Sequence, residues 1–185
     1  LKDYIKCVKA FDENIGRVLD YLDRTGLSEN TIIIYTSDNG WFLGDHGLFN
    51  KMWMYEESIR IPLIVQYGKK ITPGSKNSYM ISSLDYAPTL LDFAGIEIPE
   101  SMQGKSIRNM LEGGKPDNWR SSFFYHYFDQ FGVPEHYGIR TNEYKIIEFV
   151  GELGLQHELF DLQSDKDELL NLAYNPSFKS VKDSL

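Results

Sequence analysis

Apolar residues near the start of the chain fall three or four positions apart, or at multiples of that spacing. Ile5, Val8, Ile15, Val18, Leu19 and Leu22 share one face if residues 2–25 form a helix. Gly26 is the expected stop, and Ser28-Glu29-Asn30 reads as a turn. The next pattern is different. Thr31-Ile32-Ile33-Ile34-Tyr35-Thr36 is a β-branched run without alternation, which predicts a strand covered on both faces, as in a parallel sheet under helices. A second apolar run, Ile61-Pro62-Leu63-Ile64-Val65, predicts another strand of the same α/β sheet.

Residues 37–60 lie between those strands and are rich in Gly, Asp, His, Trp and Lys. A long loop after a buried strand is usually functional, and ligands of open α/β sheets sit beyond the carboxyl ends of strands. Ser83-Leu84-Asp85 opens another helix, with Ala87, Leu90, Leu91, Phe93 and Ala94 as its apolar positions and Gly95 as its stop. Residues 96–118 are irregular and read as a connection. From Trp119 the pattern becomes short strands at 121–128, 136–141, 143–150 and 156–161, with a hairpin turn at Thr141-Asn142-Glu143. Residues 165–172 suggest a short closing helix, its acidic run Asp165-Lys166-Asp167-Glu168 forming a solvated N-terminus. The expected organisation is an α/β core over 1–118 and a small α+β subdomain over 119–185.

Composition narrows the function classes. Hydrophobic residues make up 42% of the chain and aromatic residues 14%, enough for a packed core. Asp and Glu outnumber Lys and Arg by 27 to 19, and no basic run occurs, so nucleic acid is not an expected partner. A local basic pocket can still attract an anion. The single cysteine, Cys7, cannot form an intrachain disulfide and reads as a small helix hydrophobe. No apolar run reaches the roughly 20 residues of a membrane span. The chain begins inside a helical pattern without a signal peptide, as expected of a fragment.

The candidate chemistry lies in Thr36-Ser37-Asp38-Asn39-Gly40 and in Gly44-Asp45-His46-Gly47-Leu48-Phe49-Asn50-Lys51. Asp38 and Asn39 place a carboxylate beside an amide oxygen where a strand ends, a donor pair suited to a hard cation such as calcium. The same tripeptide also makes an ordinary turn. Two ligands do not fill a calcium shell, so further oxygens must come from elsewhere. Lys51 precedes the apolar cluster Met52-Trp53-Met54-Tyr55, which can hold its stem and leave the ammonium to stabilise developing anionic charge. His46, between glycines, suits either a substrate contact and proton donor or a structural histidine. Trp53, Tyr55 and Trp119 read as packing residues. His136 lies in the C-terminal strand region, where it can face substrate; His126 is the weaker candidate.

Taken in order, these blocks resemble the sulfatase family, most closely bacterial members acting on sulfated sugars. The resemblance continues through Tyr55-Glu56-Glu57-Ser58-Ile59-Arg60-Ile61-Pro62-Leu63-Ile64-Val65, Asp85-Tyr86-Ala87-Pro88-Thr89-Leu90-Leu91, Met102-Gln103-Gly104-Lys105-Ser106, His136-Tyr137-Gly138-Ile139-Arg140-Thr141 and Glu158-Leu159-Phe160-Asp161-Leu162. It implies part of an alkaline-phosphatase-like α/β/α sandwich with a small C-terminal antiparallel sheet. It implies calcium ligation by Asp38 and Asn39, sulfate contact by Lys51, and a sulfated carbohydrate or other sulfate ester as substrate. It also implies an extracytoplasmic parent enzyme.

The family's nucleophile is a formylglycine made from a Cys/Ser-x-Pro-x-Arg motif, and that motif is absent: Cys7 is followed by Val8-Lys9-Ala10. The nucleophile and remaining metal ligands are therefore expected in an N-terminal part of the same enzyme. Two other readings stay open. One is a phosphatase or phosphonate hydrolase of the same superfamily, which shares the metal-at-strand-end arrangement and which the Asp45-His46 pair keeps in view. The other is a non-catalytic module.

Overall fold

Helix α1 (Lys2–Arg24) runs as the apolar spacing requires. It stops where Gly26 adopts φ 70°, with Leu27 N–H donating to Leu22 O at 2.9 Å and Gly26 N–H to Asp23 O at 3.1 Å. In the computed structural model, which describes residues 1–151 and 154–185, the chain forms two units. Leu1–Ser37 and Pro62–Asp117 make the first; Asp38–Ile61 and Asn118–Leu185 make the second. The loop assigned to the core from sequence thus groups with the C-terminal strands.

In the first unit, β1 (Ile33–Thr36) pairs with β4 (Leu63–Gln66) in antiparallel register, Ile33 opposite Gln66 and Thr36 opposite Leu63. The parallel, doubly covered pair expected from sequence is not found among the described residues: the two strands run in opposite directions, and Tyr35 and Ile64 are exposed. An unalternating apolar run carries no information about strand direction, and its second face is covered only if another element packs there. The stripe on α1 is likewise open, with Ile5, Val8 and Val18 each more than half exposed.

Helix α3 (Tyr86–Phe93) follows directly on a 3-10 turn, Ser83–Asp85, that opens with a capping box: Ser82 accepts from Leu84 N–H and Asp85 Oδ2 accepts from Ser82 N–H. Asp85 is fully buried, and its Oδ1 accepts from Lys105 N–H at 2.8 Å, tying the irregular connection to the helix start. The short helix α4 (Arg108–Leu111) follows, with Arg108 paired to Asp92 of α3 at 3.1 Å.

The second unit is built on an antiparallel meander, β5 (Ser122–Tyr127), β6 (His136–Thr141), β7 (Tyr144–Gly151) and β8 (Gly154–Asp161). All four lie close to their predicted positions. Side chains alternate between the two sheet faces. The register puts Tyr125, Gly138, Ile147 and Glu158 in one row and Arg140, Lys145 and Phe160 in the next, on the same face. This face packs on Phe42, Met54 and Tyr55. The opposite face buries Ile146 and Leu159 under Leu172 and Ala173, with Phe178, Val181 and Leu185 from the region of α5 (Lys179–Ser184). Gly138 is needed here: a methyl group would lie 2.1 Å from Ile146 O and 2.6 Å from the Met54 sulfur.

The expected closing helix at 165–172 is not formed. Asp165 accepts from Leu169 N–H at 3.1 Å and Leu170 N–H at 2.8 Å, and Glu168 turns to φ 51°. Side-chain capture of main-chain N–H groups competes with a helical ladder. Glu168, read as solvated, is only 2% exposed. Among the described residues, no helix is long and apolar enough to cross a membrane.

Candidate functional site

The stretch that carries the candidate residues folds as a small hairpin followed by one helical turn. Strand β2 (Phe42–Leu43) pairs with β3 (Phe49–Asn50), and Gly44-Asp45-His46-Gly47 closes the turn. Gly44 and Gly47 take φ 123° and 71°, and His46 takes 54°, so the glycines noted in the sequence serve the turn itself. At the end of β3 and just past it, Asn50 and Met52 adopt φ 85° and 93° on either side of Lys51. Side-chain-bearing residues occupy this region only where surroundings impose it. Here Met52 N–H donates to Ser58 Oγ at 3.1 Å, and Met52 O accepts from the Tyr125 hydroxyl at 2.8 Å.

That backbone brings Lys51 to Asn39. The ammonium donates to Asn39 Oδ1 at 2.6 Å. Asn39 Nδ2 donates to Gly40 O at 2.8 Å, and Asn39 N–H donates to Asp38 Oδ1 at 2.9 Å. Asp38, Asn39 and Lys51 are therefore gathered in one place, and the amide of Asn39 turns its oxygen toward a positive charge. The Asp38 carboxylate and the Asn39 amide oxygen, turned this way, are hard donors that fit a hard cation. The fit is partial: among the described residues, no group of three or more His, Cys, Asp or Glu side chains is disposed to hold a metal ion.

Helix α2 (Glu56–Ile59) contacts the neighbours of this arrangement, Gly40, Met52 and His46. Ser58 O accepts from Gly40 N–H at 2.7 Å, while Ser58 Oγ holds Met52. Glu57 Oε2 lies 3.4 Å from His46 Nε2. The His46 ring stacks on Tyr55 with centroids 4.3 Å apart and planes within 12°. Its side chain is 13% exposed, so this histidine is largely enclosed.

Glu56 enters a buried ion cluster. Lys145, fully buried, lies 2.8 Å from Glu56 Oε1 and 2.7 Å from Glu168 Oε1. Arg140 Nη2 is 3.2 Å from Glu56 Oε2, and Glu168 Oε2 accepts from Glu56 N–H at 2.7 Å. Two cations thus face two carboxylates. Burial alone would raise the Glu56 pKa, but Lys145 and then Arg140 outweigh it and hold the carboxyl below its usual range. For Glu168 burial wins despite Lys145, and its pKa is raised. The Tyr55 hydroxyl donates to Glu158 at 2.8 Å, and burial followed by that carboxylate raises the phenol's pKa.

His136 is placed elsewhere than at an accessible surface. It is fully buried, its ring centroid 5.3–5.8 Å from those of Trp53, Tyr125, Tyr127 and Phe149. Its Nδ1 is 2.8 Å from Pro134 O. Burial lowers its pKa, against the backbone contacts to Pro134 and Met52, which favour the charged ring. These contacts are those of a packing histidine behind the Lys51 loop. His126 pairs with Glu135 at 2.9 Å.

Local pattern singled out none of Glu56, Glu57, Ser58, Arg140 and Lys145 as site residues, and it read Glu168 as solvated. One signal was present: Lys145 occupies the same alternating register as Ile147 and Phe149, an inward position for a charge.

Residues 44–185 match the family model described as "N-sulphoglucosamine sulphohydrolase, C-terminal". The chain is 46% identical over 177 residues to an N-acetylglucosamine-6-O-sulfatase of Bacteroides thetaiotaomicron, covering 93% of this chain and 32% of that protein. It is also similar, with a TM-score of 0.90 and 44% identity, to a solved structure described as in complex with its substrate D-glucosamine-2-N,6-O-disulfate; the match covers 96% of this chain and 37% of that one. The phosphonate monoester hydrolase of Agrobacterium radiobacter matches with a TM-score of 0.82 at 28% identity, over 94% of this chain and 37% of its own. The chain therefore spans about a third of the length of these relatives.

Proposed function

We propose, for a chain that belongs to the sulfatase family, that it supplies the C-terminal part of an active site hydrolysing sulfate esters of an amino sugar. The observation that carries this reading is the Lys51–Asn39 contact of 2.6 Å, which keeps an ammonium beside an oriented pair of oxygen donors. The similar N-acetylglucosamine-6-O-sulfatase and the glucosamine disulfate complex support a sulfated glucosamine as the substrate class.

Asp38 and Asn39 would hold calcium, the remaining ligands coming from other parts of the enzyme. When bound, the cation neutralises sulfate charge and favours attack at sulfur. Lys51 binds the same anion. As the S–O bond breaks, negative charge grows on the sulfate and leaving oxygens, and a fixed ammonium stabilises that charge more than it stabilises the ground state. The formylglycine nucleophile belongs to the N-terminal part, and no residue here replaces it. His46, packed on Tyr55 and facing Glu57, orients the turn between β2 and β3. For His136, burial favours support of the Lys51 loop over direct sugar contact.

The full-length enzyme should be assayed on 6-O-sulfated glucosamine, an aryl sulfate and a phosphonate monoester, with and without calcium chelation. Calcium-dependent turnover of the sulfated sugar is expected to dominate. Preference for the phosphonate ester overturns the reading in favour of the superfamily's phosphonate hydrolases.

A further inference from the structure

We propose that the buried cluster of Lys145, Glu56, Glu168 and Arg140 is a positioning device that sets the reactive geometry of Lys51 through helix α2. This inference rests on reading Lys51 as the sulfate contact.

A helix of four residues has almost no hydrogen-bond ladder of its own, and isolated helical turns are unstable in water. Its orientation must be imposed from outside. Glu168 grips its first main-chain N–H, while Lys145 and Arg140 grip both carboxylate oxygens of Glu56. These are directional contacts from fixed points: Arg140 and Lys145 are cross-strand partners on β6 and β7. With Glu56 anchored, the next two residues fall into place. Glu57 meets His46, and Ser58 binds both Gly40 and Met52. Gly40 and Met52 are the immediate neighbours of Asn39 and Lys51. Ser58, two residues beyond the clamped Glu56, therefore holds the chain one residue away from each half of the Lys51–Asn39 contact.

Stability alone does not explain the arrangement. A buried ion pair seldom outperforms well-packed apolar residues of the same volume, because desolvation offsets the attraction. What charges add is orientation, since a slipped register leaves a buried charge unpaired.

The test is a double-mutant cycle in the full-length enzyme, measuring kcat on an aryl sulfate for Glu56→Gln, Lys51→Ala and the pair, each shown folded by thermal melting. A misplacement near 1 Å can cost about 10²-fold in rate. Glu56→Gln is expected to lower kcat at least about tenfold with KM little changed, and by less than about twofold when Lys51 is already alanine. Equal fold-losses in both backgrounds, or normal kcat in folded Glu56→Gln, overturn the proposal. Should Glu56→Gln not fold, Glu168→Gln, which retains an oxygen for the Glu56 N–H, takes its place in the cycle. If Lys51→Ala retains normal turnover, the reading of Lys51 fails instead. Amide exchange at Gly40 and Met52 then tests the clamp separately: about tenfold acceleration in the variant, relative to amides of β7, is expected, and unchanged exchange overturns it.

Discussion

A methyl group on Gly40 would lie 2.0 Å from the carbonyl oxygen of Glu57. The two backbones meet there because Gly40 N–H donates to Ser58 O at 2.7 Å, which places the Asp38-Asn39 segment against α2. Neither atom belongs to a flexible side chain, so the clash cannot be relieved by a rotamer change. Gly40→Ala should destabilise the protein by about 1–3 kcal/mol, as overpacked sites do. It should also lower turnover by moving Asn39 away from Lys51. Thermal melting and an aryl sulfate assay check both effects; a variant with wild-type melting and rate would show that the contact opens freely.

Lys51→Ala removes an ammonium whose value rises as charge develops. In the full-length enzyme kcat should fall by about 10²–10³ on both an aryl sulfate and a sulfated sugar, the usual effect of losing one preorganised charge. Near-normal turnover on both substrates would reduce Lys51 to a surface residue.

The isolated 185-residue chain should bind calcium at about millimolar affinity or weaker, because Asp38 and Asn39 supply one charge and few oxygens. Titration calorimetry would reveal a micromolar site if another carboxylate, such as Asp45, completed the shell. The same chain should not turn over sulfate esters, since it carries no nucleophile motif.

His136 gives the fold a defined pH dependence. Its folded pKa is lowered by burial, whereas in the unfolded chain it returns to about 6.5. Protons therefore bind the unfolded state more readily. Its stabilising contribution is fully present above about pH 6.5 and declines as pH falls toward the lowered folded value. Urea midpoints measured between pH 7.5 and 5 should drop, and His136→Asn, which retains a donor for Pro134 O, should flatten that slope. An unchanged slope would show that other groups carry it.

Much of this protein was legible in local pattern. The 3.6-residue apolar spacing located α1 and α3, and alternation with turn residues located the strands of the C-terminal sheet. The grouping of Asp38, Asn39 and Lys51 was legible because it is nearly local: the Lys51–Asn39 contact spans only 12 residues. Tertiary structure decided the rest. Strand direction for β1 and β4 depends on the path between them, which apolar runs do not encode. The burial of Glu168 and the enclosure of His136 depend on partners distant in the chain. Glu168 reaches Glu56 across 112 residues and Arg140 reaches it across 84. A charge reads as solvated until its counter-charge is brought to it in a low-dielectric interior. The register of the folded sheet is what sets Lys145 and Arg140 facing Glu56.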